Sequence, residues 1–272
     1  TYWVSHSLIV ESPSLWVLAP FMALALALVL AVFWASAAMV SWSFGRRPVA
    51  RLFWFVAFFS LGEWARGFVA TGFPWNLTGS LFAVDLASLQ AASVIGAYGL
   101  CVIALFFALV PAFWFLGHRR FAAIFLMLPL VLAAFGAARL TNSSDAHSAS
   151  SVLMIRLVQP AIPQADKWDR SKRQGHLDRL VSLSRQGDVV PKLVIWPETA
   201  FAGFASRSQS LLNTTIRNAT QNDGVVITGI PRFGGGRTLL NSAIMIDHDG
   251  AIKAVYDKRH LVPFGEYMPF RK

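Results

Sequence analysis

The sequence predicts a polytopic α-helical membrane domain followed by a water-soluble domain of the α/β class. Hydrophobic residues make up 55% and charged residues 14% of the 272 residues, whereas a typical soluble domain has about 25% charged residues. Long uncharged runs lie in the first 150 residues. Residues 151–272 hold 17 of the 24 Lys and Arg residues and 10 of the 14 Asp and Glu residues. The composition of the first half therefore suits a lipid bilayer, and that of the second half suits water.

Four membrane spans are predicted, at about 15–42, 51–69, 89–117 and 121–139. The first and third contain no charged residue and exceed the roughly 20 residues that cross a bilayer core, and the fourth is of about minimal length. The second contains Glu63 and Arg66, which lie three positions apart and share one face of a helix. We expect these two side chains to neutralise each other, because isolated charges are costly in a membrane.

The basic residues of the short loops predict the orientation of these spans. They are concentrated in two loops, with Arg46, Arg47 and Arg51 at the first and His118, Arg119 and Arg120 at the third. The loop between these two, about 70–88, has no Lys or Arg. Since short basic loops stay in the cytoplasm, we expect the 70–88 loop and everything after Arg139 to lie outside it.

Beyond a small polar linker at 141–151, residues 152–272 alternate between strand and helix patterns. Strands are predicted at 152–158, 193–196, 225–230, 241–246 and 251–256, and helices at 171–185 and 206–222. The Asp-His-Asp-Gly sequence at 247–250 is typical of a hairpin turn. Strands alternating with helices before a final hairpin indicate an α/β domain with layered αββα architecture.

Two stretches of this half could carry chemistry. Glu198 follows a short apolar strand and Trp196-Pro197, a position where α/β sheets place their sites. Partial burial there would make the carboxylate a better general base, although it could equally cap the next turn. Lys258 lies near Glu266 in YDKRHLVPFGEY, where a fixed cation could stabilise an oxyanion. The alternative for this basic stretch is a solvated surface.

Together these stretches resemble the nitrilase, or carbon–nitrogen hydrolase, superfamily, whose site is a Glu, a Lys and a Cys. Further motifs are TGFPW at 71–75, VQP at 158–160, IPQ at 162–164 and KWD at 167–169. With them the whole chain resembles the apolipoprotein N-acyltransferases, which join a multi-span membrane domain to a periplasmic nitrilase-like domain. We expect an incomplete nitrilase-like αββα sandwich, and a chain truncated at both ends.

The resemblance implies a two-step acyl transfer. A cysteine thiolate takes an acyl group from a phospholipid, usually phosphatidylethanolamine, and the thioester then acylates the amine of an apolipoprotein's N-terminal diacylglyceryl-cysteine. Glu198 is then the general base, Lys258 stabilises the oxyanions and Glu266 is a second essential acid. Trp168 matches a family position that handles substrate, and Asn241 helps to hold the site.

The same resemblance implies a protein of the bacterial inner membrane, with residues 152–272 on the periplasmic side. Its partners are a phospholipid acyl donor, a diacylglyceryl apolipoprotein and the bilayer, and no nucleic acid, cofactor or metal is expected. Trp75, in the 70–88 loop, could line the lipid entry or belong to an interfacial aromatic belt. The net charge of +7 on residues 151–272 would attract anionic headgroups.

The nucleophile is where the sequence departs from the family pattern. The family's cysteine lies well beyond the YDKxHLVPFGEY stretch, in a Cys-Tyr-Glu context, whereas the single cysteine here is Cys101. Cys101 lies in an apolar span, where a thiolate is costly, so we expect residues 1–272 alone not to form the thioester. Two alternative functions stay open: a membrane-tethered amidase and a non-catalytic polytopic transporter or scaffold.

Overall fold

The computed structural model describes residues 13–69, 72–142, 153–204, 208–220, 224–235, 238–262 and 266. These residues form two compact units, with 14–142 in the first and 153–266 in the second. The boundary between the units falls within the predicted linker at 141–151, most of which lies outside the described residues.

The first unit is helical. Two short 3₁₀ helices, Pro13–Leu18 and Thr78–Val84, accompany α1 (Ala19–Phe44), α2 (Pro48–Arg66), α3 (Leu86–Leu89), α4 (Ala92–Ala108), α5 (Val110–Phe115) and α6 (Arg119–Asn142). Proline stands in the first turn of α1, α2 and α5, where its missing N–H needs no partner. Within the described residues, Trp16–Phe44 and Arg119–Asn142 are long and apolar enough to cross a membrane.

The third predicted span is not one continuous helix. The uncharged run at 89–117 is divided between α4 and α5, and Gly96 has a positive φ of 67° inside α4. Pro111 explains the break between the two helices, because it lacks the N–H that would donate to the carbonyl of Phe107 and its ring crowds that carbonyl. Hydropathy detects the apolar character of such a run but not the interruption of its backbone hydrogen bonds.

The predicted Glu63–Arg66 pair is confirmed, and it does more than neutralise charge. Both side chains are almost completely buried, and Arg66 Nη2 lies 3.8 Å from Glu63 Oε1. Arg66 Nη1 donates to the carbonyl oxygen of Trp75 at 2.8 Å. Glu63 accepts hydrogen bonds from the backbone N–H and the hydroxyl of Thr78, at 2.9 and 2.7 Å. The pair therefore ties the segment that follows α2 to that helix.

The second unit contains a five-stranded mixed sheet with two helices. The strands are β1 (Ile155–Leu157), β2 (Leu193–Ile195), β3 (Val225–Phe233), β4 (Leu239–Asp247) and β5 (Ile252–Asp257), in the spatial order of the chain. The first three strands are parallel, and β4 is antiparallel to both β3 and β5. The helices are α7 (Arg173–Ser184) and α8 (Gln209–Ala219).

The predicted α/β character of this unit is confirmed, with shifted element ends. The strand predicted at 152–158 is shortened to β1, and the ends of the helix predicted at 206–222 lie outside the described residues. The hairpin turn forms as predicted, since Gly250 has a φ of 90° and donates to the carbonyl of Asp247 at 3.0 Å.

One hydrophobic core joins the sheet to its helices. Fully buried side chains from α7, α8, β3 and β4 form its centre, namely Leu180, Leu212, Ile216, Val226, Ile230 and Ile246. At the edge of this core the buried indole of Trp196 donates to the hydroxyl of Ser184 at 2.8 Å. This bond joins the end of β2 to α7, directly before the residues that carry the predicted base.

Removing Glu63 alone should be more harmful than removing both members of its pair with Arg66. Glu63→Leu leaves the guanidinium buried without its carboxylate, which costs about 3–5 kcal/mol of unfolding free energy. Adding Arg66→Met removes this unpaired buried charge, so the double variant should be more stable than Glu63→Leu. Thermal unfolding in detergent micelles measures both variants, and a double variant less stable than Glu63→Leu would contradict this account.

Candidate active site

The mixed sheet brings three of the predicted site residues to one edge. Glu198 follows β2 at the carboxyl end of the parallel strands, where α/β sheets place their sites. Asn241 pairs with Pro231 near the end of β3, because β4 runs antiparallel to β3. Lys258 directly follows β5, and its backbone N–H donates to the carbonyl of Asn241 at 2.8 Å. Residues distant in sequence therefore meet at one position.

A tight turn at the end of β2 presents Glu198. The carbonyl of Pro197 accepts hydrogen bonds from the N–H groups of Ala200 and Gly229, at 3.2 and 3.3 Å. Thr199 has a φ of 51°, a backbone conformation that few non-glycine residues adopt. A Cβ atom on Gly229 would lie 2.4 Å from the backbone nitrogen of Thr199 and 2.7 Å from the Cα of Glu198. Only glycine lets β3 pass this close to the turn.

One ammonium group and one amide group lie between two carboxylates. Lys258 Nζ is 3.2 Å from Glu198 Oε1 and 2.9 Å from Glu266 Oε1. Asn241 Nδ2 donates to the same two oxygens, each at 2.6 Å. The structure thus brings together four of the predicted site residues, while the roles assigned to them stay predictions.

The electrostatics of the cluster favour the charged forms of Lys258 and Glu266. Partial desolvation favours the neutral form of Lys258, but its hydrogen bonds to Glu266 and Glu198 and their charges outweigh this, so its pKa lies above its usual range. Desolvation likewise favours the protonated form of Glu266. The hydrogen bonds from Val262, Asn241 and Lys258, together with the charge of Lys258, outweigh it and hold the pKa of Glu266 below its usual value.

The two carboxylates differ in how fully they are bonded. Glu266 Oε1 accepts from Asn241 and Lys258, and its Oε2 accepts from the backbone N–H of Val262 at 2.7 Å. Glu198 uses only Oε1 in the hydrogen bonds found among the described residues. Both oxygens of Glu266 are therefore occupied, whereas Glu198 keeps one oxygen for another partner.

The side chain of Glu198 is 60% exposed, so the burial that the sequence suggested for it is limited. The alternative of a turn-capping glutamate is also not what the structure has, because this side chain accepts hydrogen bonds from Asn241 and Lys258. Any activation of Glu198 must therefore come from fixed polar neighbours.

A cavity of about 650 Å³ opens beside the cluster. Its lining residues are Gln164, Ala165, Lys167, Trp168, Glu198, Thr199, Pro231, Leu239, Leu240, Asn241, Leu261 and Glu266. Trp168, predicted to handle substrate, is 53% exposed here. Lys167 begins the KWD motif at 167–169 but was not predicted to be a site residue. Its Nζ donates to the backbone carbonyl of Glu198 at 3.1 Å.

Two other residues considered from the sequence lie in the first unit. Trp75 is 53% exposed and its ring lies near that of Phe73, with 6.4 Å between centroids, and its contact with substrate stays a prediction. Cys101 is completely buried in α4. Its Sγ accepts from the N–H of Gly79 and donates to the carbonyl of Ala97, each at 3.3 Å.

Within the part of the chain that the structure describes, no three His, Cys, Asp or Glu side chains are grouped so that they could hold a metal ion. The acids of the candidate site are bonded to an ammonium group and an amide group. The described polar groups thus favour acid–base chemistry carried by side chains.

The sheet and its Glu–Lys–Glu cluster define a protein of the carbon–nitrogen hydrolase class, and residues 154–272 match the family model of that name. Residues 1–110 match the apolipoprotein N-acyltransferase N-terminal domain. The chain is thus similar to the apolipoprotein N-acyltransferase family in both of these regions.

Curated apolipoprotein N-acyltransferases from several bacteria align with nearly all of this chain. Identity is 37% with the Brucella melitensis protein, 35% with that of Allorhizobium ampelinum and 32% with that of Rhodopseudomonas palustris, each over 99% of this chain. The alignments cover 52%, 52% and 53% of those relatives, so the chain spans about half the length of the curated relatives it matches. A solved N-terminal amidase with an Asn-Glu-Ala peptide aligns with 40% of this chain and 29% of its own, at 22% identity and a TM-score of 0.29.

Adding one methyl group at Gly229 should displace the turn that presents Glu198. Gly229→Ala places a Cβ against the backbone of residues 198 and 199, and we expect a loss of about 1–3 kcal/mol in stability, as in other overpacked sites. The control is Gly175→Ala in α7, where a Cβ meets nothing within 4 Å and alanine should stabilise the helix by about 0.5–1 kcal/mol. Thermal unfolding compares the two, and equal midpoints would contradict this reading.

Proposed function

We propose that this chain takes part in the phospholipid-dependent N-acylation of the N-terminal diacylglyceryl-cysteine of apolipoproteins. The observation that carries the proposal is the asymmetric pair of carboxylates beside the cavity. Lys258 and Asn241 hold both acids, yet only Glu198 keeps an oxygen without a partner among the described residues. The names of the bacterial relatives support the same activity.

In the first step, Glu198 accepts the proton of a cysteine thiol, which the family pattern places in a Cys-Tyr-Glu context distinct from Cys101. The thiolate attacks the carbonyl carbon of a phospholipid acyl ester. Lys258 stabilises the negative charge that develops on the carbonyl oxygen. The ester bond then breaks, the lysophospholipid alkoxide takes the proton from Glu198, and the acyl group stays on sulfur as a thioester.

In the second step, the α-amine of the diacylglyceryl-cysteine attacks the thioester carbon. Glu198 accepts a proton from the attacking amine, and Lys258 again stabilises the tetrahedral oxyanion. The carbon–sulfur bond breaks, the thiolate recovers a proton from Glu198, and the acyl group leaves as an amide of the lipoprotein. The same carboxylate therefore carries the proton in both steps.

We assign Glu266 a positioning role within this mechanism. Both of its oxygens already accept hydrogen bonds, three in all, out of the about four lone-pair positions of a carboxylate, so it is less available than Glu198 to take a proton from substrate. It keeps Lys258 protonated and holds Lys258 and Asn241 against Glu198. This refines the role of second essential acid that the family resemblance implies.

The donor in this proposal is phosphatidylethanolamine, and the acceptor is the diacylglyceryl apolipoprotein. A membrane-tethered amidase would use the same Glu and Lys but would transfer the acyl group to water. Supplying the intact protein with a donor phospholipid and a diacylglyceryl lipopeptide separates the two functions. N-acylated lipopeptide supports acyl transfer, whereas amide hydrolysis without lipopeptide acylation supports the amidase.

Glu198→Gln in the intact protein should lower kcat about 10²–10⁴-fold, the size of a lost general base. The glutamine keeps the shape of the side chain but cannot take the thiol or amine proton, so thioester formation should fail as well. Asp249→Asn, in the exposed turn between β4 and β5, is the matched control and should leave kcat unchanged. Wild-type turnover by Glu198→Gln would refute the proposed base.

We further propose that residues 152–272 face the periplasm of the bacterial inner membrane. The distribution of basic residues among the loops supports this orientation, since short basic loops remain cytoplasmic. Exposed positions suited to labelling exist in both units, at Arg120 in the first and Ser210 in the second.

Labelling of introduced cysteines tests the orientation. A membrane-impermeant maleimide added to cells with a permeabilised outer membrane should modify Ser210→Cys, because that position would face the periplasm. The same reagent should modify Arg120→Cys only after the inner membrane is broken. The parent protein supplies the background, since Cys101 is buried and the cysteine proposed as nucleophile is labelled equally in the parent and in both variants. The reversed pattern would invert the proposed topology.

A further inference from the structure

Lys167 contacts the backbone of the proposed general base. Its Nζ donates to the carbonyl oxygen of Glu198 at 3.1 Å, across 31 residues of sequence. The contact is made to the peptide group and leaves the carboxylate of Glu198 in its bonds with Lys258 and Asn241. Two ammonium groups therefore hold this glutamate, one through its side chain and one through its main chain.

The environment of Lys167 differs from that of the neighbouring Lys172. Lys172 is exposed and forms an ion pair with Asp166 at 2.6 Å. Lys167 is partly buried, and among the described residues no carboxylate lies within ion-pair distance of its Nζ. Desolvation lowers the pKa of Lys167, and the charge of Glu198 opposes that shift. Removing an ammonium group from water costs free energy even when a carbonyl oxygen accepts its hydrogen bond. Because an exposed lysine could avoid this cost, the contact is unlike an incidental one at the surface.

Lys167 lies in a series of turns that also carries Trp168. The N–H of Asp166 donates to the carbonyl of Pro163 at 3.0 Å, that of Lys167 to Gln164 at 3.3 Å, and that of Asp169 to Asp166 at 3.0 Å. These bonds fix Trp168 relative to Lys167, and both residues line the cavity beside Glu198. A bond that holds Lys167 therefore also restrains the backbone of Trp168, the next residue in the chain.

We propose that Lys167 is a positioning residue that fastens the turn carrying Trp168 to the backbone of Glu198, and so sets the width of the cavity between the indole and the carboxylate. The substrate class that this spacing serves is a long-chain acyl ester, with apolar carbons against Trp168 and the ester carbonyl beside Glu198. The substrate class rests on the proposed function, whereas the attachment of the turn to the backbone of Glu198 does not.

Loss of the bond should loosen the turn and weaken substrate binding with little effect on chemistry. Glu198 has its own anchors in Asn241, Lys258 and the turn against Gly229. In Lys167→Met the KM for a donor phospholipid in mixed micelles should rise about tenfold, as expected for one lost hydrogen bond from a charged donor. The kcat should stay within about twofold, since the proposed proton carrier is still in place.

Limited proteolysis of the intact protein tests the turn itself, without any assay of acyl transfer. Cleavage after the exposed Arg170 by an arginine-specific protease should be about tenfold faster in Lys167→Met, in proportion to the lost hydrogen bond. Lys253→Met removes an exposed cation on β5 that pairs with Asp247 and contacts neither this turn nor Glu198, so its cleavage rate and KM should match the wild type. Lys167→Arg keeps a cationic donor and should restore slow cleavage.

Each contrary outcome overturns a defined part of the proposal. A wild-type cleavage rate in Lys167→Met, or equally fast cleavage in Lys167→Arg, would show that this hydrogen bond does not hold the turn. A fall in kcat at unchanged KM would overturn the role in cavity width. Failure of the proposed function would instead appear as no N-acylated lipopeptide from the wild-type protein, with the proteolysis result unaffected.

Discussion

The second unit depends on the attraction of one ammonium group to two carboxylates. The Oε1 atoms of Glu198 and Glu266 both lie within 3.2 Å of Lys258 Nζ, and two acids so close would repel each other without that cation. The two glutamates and the lysine come from different parts of the chain. The cluster therefore requires the end of β2, the start of β4 and the end of β5 to meet. A mixed sheet, parallel on one side and antiparallel on the other, satisfies this requirement.

Unequal hydrogen bonding gives the two carboxylates different chemical capacities. Glu266 accepts hydrogen bonds at both oxygens and its pKa lies below its usual value, so in the proposed mechanism it acts through the groups it holds. Glu198 is more exposed, with one oxygen directed to no described partner. In the proposed function, fixed neighbours that need no reorganisation during the reaction would support Glu198 as the base. Gly229 is part of this arrangement, because its missing side chain makes room for the turn.

The first unit shows the same use of charge in an apolar setting. Burying Glu63 and Arg66 among apolar helices is unfavourable unless their polar atoms find partners. Glu63 finds them in both polar groups of Thr78, and Arg66 Nη1 finds one in the backbone of Trp75, whereas Arg66 Nε and Nη2 make no hydrogen bond among the described residues. The cost of burial is thus partly offset by hydrogen bonds that define the path of an irregular segment, which a hydrophobic contact alone would not fix.

The sequence by itself determined the division into an apolar helical half and an α/β half, because hydropathy and strand–helix alternation are local properties of the chain. Its motifs also selected Glu198, Lys258 and Glu266 as site candidates. Tertiary structure decided the exposure of Glu198, the break before Pro111 and the contact of Lys167 with the catalytic turn. Asn241 shows the reason, since 43 residues separate it from Glu198. The separation of two residues in sequence does not determine their distance in space. Here the register of β4 against β3 brings the two side chains together.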